Sequence, residues 1–447
     1  MNIQLSDHFD YRTLLRFTFP SIVMMIFTSI YGVVDGFFVS NYVGKTPFAA
    51  VNFIIPFLMV LGAVGFMFGT GGSALIAKTL GEGDLPRARR QFSLFVYASI
   101  LSGAAITVLG FLLIRPTAAF LGAEGQMLEN CVLYGRIVLA ALPAYMLQYE
   151  FQSFFVAAAR PQLGLAVTIA AGLTNMVLDW LLVAVLELGL VGAAAATAVS
   201  QCVGGILPLI YFICPNSSLL RLTTTQFDGR ALLKACANGS SELMTNVSMS
   251  LVSMLYNVQL MKYAGENGVA AYGVLMYVNM IFLAAFIGYS VGSGPVIGFH
   301  YGAGNTEELR GLLKKSLTLV GIFSVAMLAA AEFLARPLAL IFVGYDQTLL
   351  EMTLRGFMIF SFSFLFAGIA IFASAFFTAL NDGLTSALIS FLRTLVFEVG
   401  AVLILPLFWE LDGIWFSIVA AELMAAAAAG LFLFIKRGKY RYGFRRE

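Results

Sequence analysis

Charge is what this chain is short of: Asp, Glu, Lys and Arg make up 11% of its 447 residues, against roughly a quarter in soluble domains. Histidine is scarcer still, with His8 and His300 the only two, far apart in sequence. That excludes a histidine metal box, and no nucleophile elbow or nucleotide-binding loop is present, so the chain is read as no enzyme and as needing no cofactor. The four cysteines, Cys131, Cys202, Cys214 and Cys236, show no metal-ligand spacing. They read as small apolar residues. What is abundant is apolar: 60% of residues are hydrophobic, with 41 Phe and 43 Gly, and mean hydropathy is +0.90. No soluble domain needs that much apolar surface, which implies a polytopic membrane protein.

Runs long enough to cross about 30 Å of hydrocarbon fall at roughly 17–40, 50–77, 92–114, 132–157, 163–186, 190–213, 235–261, 269–297, 314–334, 353–380, 384–407 and 412–435. The first is too long for a signal peptide and reads as a retained helix. With the N-terminus inside, inner loops and tails hold about nineteen Lys and Arg, from Arg12 and Arg16 to the tail KRGKYRYGFRR, against six outside. By the positive-inside rule both termini are cytoplasmic, in a multi-pass protein of a bacterial inner membrane. The tail's charge is juxtamembrane and calls for no nucleic-acid partner.

An internal repeat organises these spans. Sliding the chain by 221 positions, so that Gly44 meets Gly265, also superposes Ala49 and Ala50 on Ala270 and Ala271, Gly71 on Gly292, Gly81 and Gly83 on Gly302 and Gly304, Arg89 on Arg310, and Arg115-Pro116 on Arg336-Pro337. Coincidences at one offset argue for duplication. A six-helix unit returns the chain to its starting side, so the halves are parallel and frame a cavity between lobes. The expected fold is all-α: twelve transmembrane helices in two six-helix lobes. The N-lobe is 1–214, the linker 215–233, and the C-lobe 234–447 with its basic tail. In the matched loops GEGDLPRARR and GAGNTEELRG, Asp84 and Asn305 are expected N-caps, and the loops read as capped turns or a cytoplasmic gate. GTGGSA and SVGSGP lack a P-loop's lysine and read as close helix packing.

The charges inside the spans are few: Asp35, Glu150, Asp179, Glu242, Arg393, Glu398 and Glu422, with Glu332 near an end. An ionised side chain at membrane depth costs at least a few kcal/mol unless compensated. At about 1.5 Å per residue, Asp35, Asp179 and Thr197 all lie roughly 8–12 Å beneath the outer surface. Asn175 is four residues before Asp179 and shares its helix face. Two carboxylates, an amide and a hydroxyl can hold a proton, or a hard cation such as Na⁺ on Asp35, Asp179 and Asn175. At offset 221 the partners of Asp35 and Asp179 are Tyr256 and Gly400, so the second lobe copies the fold without the acids. The alternative is a polar fastening between helices 1 and 5. Glu242 is either a cavity carboxylate that attracts a cation or a locally bonded Glu. Glu398 and Arg393 are expected to pair across helices, Glu150 and Glu422 have no assignment, and Pro20 is expected to kink helix 1.

IYGVVDGFFVSNYVG, GEGDLPRARR, NMVLDWLLV, LVGAAAATAVSQ, GVAAYG and YGAGNTEELR together resemble the multidrug and toxic compound extrusion (MATE) transporters, in particular the bacterial branch of MepA-like and DinF-like proteins. The resemblance spans nearly the whole chain. It implies antiport of organic cations, the drugs, against H⁺ or Na⁺, with a coupling site on Asp35, Asn175, Asp179 and Thr197. It adds Tyr134 and, at a position often Asn in the family, Gln152. It also implies that Glu242 matches an acidic helix 7 position, so Glu242 and Asp35 are the expected substrate-binding residues, while the acid some members carry in helix 10 is missing. The expected protein is a monomeric drug antiporter. The alternative is a flippase for lipid-linked precursors, whose phosphate cargo would call for a cationic cavity.

Overall fold

The computed structural model describes residues 3–344 and 346–442; the end of the basic tail, 443–447, lies outside them. The described chain is helical: α1 Tyr11–Phe38, α2 Lys45–Gly81, α3 Leu85–Phe120, α4 Gly125–Ala140, α5 Leu142–Ala157, α6 Pro161–Leu178, α7 Gly189–Ile213, α8 Gly229–Gly302, α9 Thr306–Val343, α10 Gln347–Phe360, α11 Phe364–Ala379, α12 Gly383–Phe391, α13 Glu398–Ile404 and α14 Pro406–Lys436. These make twelve crossings in two lobes. Ten stretches are long and apolar enough to span, and α4 with α5, bent by 56° at Ala141, is an eleventh. The twelfth is the first half of α8, which breaks at Gly265 (φ 62°, ψ −153°). Its run of Asn238, Ser240, Ser241, Glu242, Thr245 and Asn246 dilutes the apolar signal. Exposed side chains such as Leu101, Phe120 and Phe333 ring the outside, an apolar surface suited to lipid.

Backbone geometry supports the duplication and corrects its offset. Left-handed residues recur in register at Gly44 and Gly265 and at Gly83 and Gly304, 221 apart, but then at Ala159 and Asn381, 222 apart, and at Glu187 and Glu410, 223 apart. The single ungapped offset therefore drifts by two residues. Three π-helical turns interrupt the α-helical pattern, Val39–Val43, Asp179–Val185 and Leu392–Phe397, the last two in corresponding spans of the two lobes. Over offsets of 221 to 223 the partners of Asp35 run from Tyr256 to Val258 and those of Asp179 from Gly400 to Val402. None is acidic. The matched loops close as expected: Asp84 accepts from the Arg87 N–H and Asn305 from the Glu308 N–H, capping α3 and α9.

The lobes meet at one end of the bundle, the end bearing both termini, called here the terminal face. There a single core cluster draws on both lobes, from Phe9 and Phe92 to Phe377 and Tyr442. Toward the opposite face it gives way to two separate clusters, one of N-lobe residues around Ile54 and Leu139, one of C-lobe residues around Tyr256 and Trp415. The seam depends on glycines. A Cβ added to Gly81 would lie 1.9 Å from the Phe299 carbonyl oxygen, and one added to Gly302 would lie 2.0 Å from that of Lys78. Each contact is the other's repeat image, which is what two parallel copies facing one another produce. The lobes thus form a cleft closed at the terminal face and parted opposite. Gly302→Val cannot be absorbed by a flexible side chain, so it is expected to part the seam. Spin labels on Glu82 and Ala303 should then read a distance longer by several ångströms than in the parent protein.

α1 runs unbroken through Pro20, with Thr18 donating to the Leu14 carbonyl one turn earlier. Between Ile213 and Gly229 the chain is not helical and lies against α3, where Arg89 donates to the Leu219 carbonyl and the Thr223 N–H to Ser93.

Candidate functional site

α1, α6 with the π turn that follows it, and α7 bring four of the expected residues together in the N-lobe. Thr197 Oγ1 donates to Asp35 Oδ1 at 3.5 Å. Asp179 and Asn175 also interact with the Asp35 carboxyl. Asp35 is half-buried, whereas Asp179 and Asn175 are fully enclosed. Both Asp179 oxygens and Asn175 Oδ1 are buried without a hydrogen-bond donor. Tyr134, buried on α4, has its hydroxyl within reach of Thr197 and joins the group from behind.

Local backbone explains the aim of these side chains. α6 widens into a π-helical turn at Asp179, whose N–H is shared by the Asn175 and Met176 carbonyls, and α1 widens four residues after Asp35. A π turn rotates the side chains beyond it relative to an α-helix. Two facing carboxylates in a water-poor site repel unless a proton or cation sits between them, because the interaction at low dielectric is several-fold stronger than in water. The group can therefore hold a proton, or a small oxygen-loving cation on carboxylate, amide and hydroxyl oxygens. Among the described residues no three His, Cys, Asp or Glu side chains converge, so a tight divalent site is not what this geometry offers.

Gln152 lies elsewhere. Its Nε2 donates to Thr168 at 3.5 Å, eleven residues and ~16 Å of helix rise from Asp179. The α5 amide that reaches α1 is Gln148, which donates to the Tyr31 hydroxyl at 3.5 Å. Tyr31 opens onto an aromatic group that helical spacing alone does not distinguish from ordinary packing. Phe27 lies 6.1 Å from Tyr31, Tyr145 4.9 Å from Tyr149, and Tyr149 3.9 Å from Phe66, between ring centroids. Such faces suit flat cations. Glu150, one residue after Tyr149, is fully buried and faces Ser99 instead.

The C-lobe holds a second polar group. Arg393 does not pair with Glu398 as expected: its Nε and Nη2 grip Glu422, at 2.9 Å and 2.6 Å. Bidentate geometry and burial make Glu422 the better partner, and it supplies the assignment Glu422 lacked. Glu242 and Glu398 lie within electrostatic reach of Arg393, and Tyr256, stacked on Tyr272 at 5.0 Å, lies near Glu398. The expected substrate residues Asp35 and Glu242 thus fall in different lobes, one on each side of the cleft.

Two parallel six-helix lobes around a cleft, with buried acids in each, are the architecture of a polytopic membrane transporter. The MatE family profile matches residues 20–181 and 243–404, one stretch in each lobe, and the chain belongs to that family. It is 23% identical over 436 residues to the multidrug export protein MepA of Staphylococcus aureus strain NCTC 8325, covering 96% of this chain and 94% of that one. It superposes on an outward-facing multidrug resistance MATE transporter of the MOP superfamily with TM-score 0.92 at 23% identity, over 99% of both chains. Crystal structures of MATE in straight and bent conformations superpose with TM-scores 0.92 and 0.88, each at 22% identity, covering 98% and 97% of both chains.

Proposed function

We propose that the chain is a secondary active multidrug efflux antiporter of a bacterial inner membrane, with both termini cytoplasmic, exporting organic cations in exchange for H⁺ or Na⁺. In this reading the N-lobe is 1–214, the linker 215–233 and the C-lobe 234–447, acting as a monomer. The observation that carries it is the Asp35 and Asp179 pair beside Asn175 and Thr197, with acceptor oxygens buried and unpaired. Ion binding there stabilises one arrangement of α1, and cargo binding in the cleft stabilises another. That differential affinity is the thermodynamic requirement for exchange. In this reading α1, with its internal Pro20 and the coupling carboxylate Asp35, is the moving part. Tyr134 backs the coupling group, and Gln152 serves it at a distance through the packing of α5 on α6.

Cationic cargo suits the cleft because its acids, Asp35, Glu242 and Glu398, outnumber its bases. Arg393 is already neutralised by Glu422. The same pairing weighs against the flippase alternative, in which a phosphate-bearing cargo would need an uncompensated cation. The test is uptake of ethidium or a fluoroquinolone into inside-out proteoliposomes with a pH gradient and a Na⁺ gradient imposed separately. One of the two is expected to drive transport. Transport driven by neither would overturn the proposal.

A further inference from the structure

The seam between the lobes contains a cavity of about 200 Å³ at the terminal face, lined by Leu75 and Lys78 of α2, Lys234 and Asn238 of α8, and Asn381 and Leu384 at the start of α12. Two lysines face it from opposite lobes. Lys234 is exposed and the Lys78 side chain is 32% exposed, so solvent screens their mutual repulsion, and an anion between them would be attracted from both lobes at once. Lys78 is partly balanced by Glu82 and by the face of Tyr301, 5.5 Å from its ammonium, whereas no acid pairs with Lys234 among the described residues. Glu82 reaches Lys78 only at 3.8 Å, on its own helix, and Asp382 is taken by the Tyr440 hydroxyl at 2.7 Å and by Lys436 and Lys439 at 3.4 and 3.8 Å. Asp382 is partly buried, which raises its pKa, but the bonds from Tyr440 and Thr385 and the charge of Lys436 outweigh that and hold it below the ordinary value. It is therefore a carboxylate at neutral pH, already neutralised by its own partners.

The cavity also contains an acceptor in need of a donor. Asn238 is 3% exposed, its Nδ2 donates to the Thr378 carbonyl at 2.8 Å, and its Oδ1 has no partner. An inorganic anion without an O–H group, such as sulfate, would satisfy the lysines and leave that oxygen unpaired. A phosphodiester carrying a hydroxyl or ammonium group would satisfy both. Leu384, 81% exposed at the cavity edge, offers an apolar surface for a chain attached to such a group.

We propose that this seam cavity binds the phosphate headgroup of a membrane phospholipid bearing a hydrogen-bond donor, such as phosphatidylglycerol, and that the bound headgroup clasps the lobes together at the terminal face. The site exists only while Lys78 and Lys234 share one cavity, so the ligand favours the state closed there. This assignment is independent of which ion drives transport.

The test is thermal unfolding of the intact protein in neutral detergent with short-chain phosphatidylglycerol, short-chain phosphatidylcholine or inorganic sulfate added at equal concentration. Phosphatidylglycerol is expected to raise the midpoint by about 2–4 °C, and phosphatidylcholine not to. K78Q/K234Q should abolish the shift, while unfolding without lipid close to the parental temperature, because both lysine side chains reach solvent. Asn238→Leu should reduce the phosphatidylglycerol response toward that of inorganic sulfate. A full shift with inorganic sulfate alone would overturn the lipid and assign the site to a soluble anion. An unchanged phosphatidylglycerol shift in K78Q/K234Q, or an equal shift with phosphatidylcholine, would overturn it.

Discussion

Asp35→Asn is expected to lower gradient-driven ethidium export in proteoliposomes by at least ~10-fold, because an ion shifts a conformational equilibrium only by its differential affinity for the two states. Asparagine keeps the size and a hydrogen-bonding oxygen toward Thr197. It removes the charge that makes Asp179 a repelling neighbour, and with it the reason for a proton or cation to bind there. Asp179→Asn should act in the same direction. The two changes together should cost little more than either alone, since residues that act as one unit are not additive. Thr197→Ala removes only one neutral bond and should cost far less. Export by Asp35→Asn at the parental rate under both gradients would contradict the assignment, and so would full additivity of the two aspartate changes.

How much of the site is legible in the residues alone depends on which coordinate is needed. Depth along a helix is linear in residue number, so spacing by itself sets Asp35, Asp179 and Thr197 at one level. Turn chemistry is local, so Asp84 and Asn305 are legible as caps. The same depth count puts Gln152 about five residues, ~8 Å, from the terminal-face end of α5, on the far half from Asp35. Rotation about a helix is another matter. A π turn inserts one residue without disturbing the apolar pattern, so nothing in NMVLDWLLV or in the sequence around Arg393 announces it. Each such turn rotates the side chains beyond it. Arg393 meets Glu422 of α14 rather than Glu398, five residues along its own span, because α14 packs against it, and no spacing within one span shows that. The repeat slides from 221 to 223 positions while still looking ungapped over its glycines. Tyr31, Gln148, Tyr145 and Tyr149 do not stand out in the sequence because aromatics and amides at helical spacing look like core until neighbouring helices are placed around them.

Glu422→Gln should be among the most damaging changes to folding. The Arg393 guanidinium is enclosed by α14 and α8, with side-chain exposures of 14% and 7% across the pair. Removing one partner of a buried pair leaves an uncompensated charge, at about 3–5 kcal/mol. Glu398 and Glu242 remain within reach of Arg393, so the lower end of that range is expected, seen as a fall of several degrees in the unfolding midpoint in detergent. Arg393→Met alone should cost less than Glu422→Gln, because a lone carboxyl can take up a proton whereas a guanidinium stays charged. Replacing both by methionine should recover most of the parental stability, since apolar side chains of similar volume often equal a buried ion pair. If transport stays low in that stable double variant, the pair also sets the charge of the C-lobe cavity. If transport returns with stability, the pair is a fastening between α14 and the span carrying Arg393, and cargo selection rests on Glu242, Glu398 and Asp35.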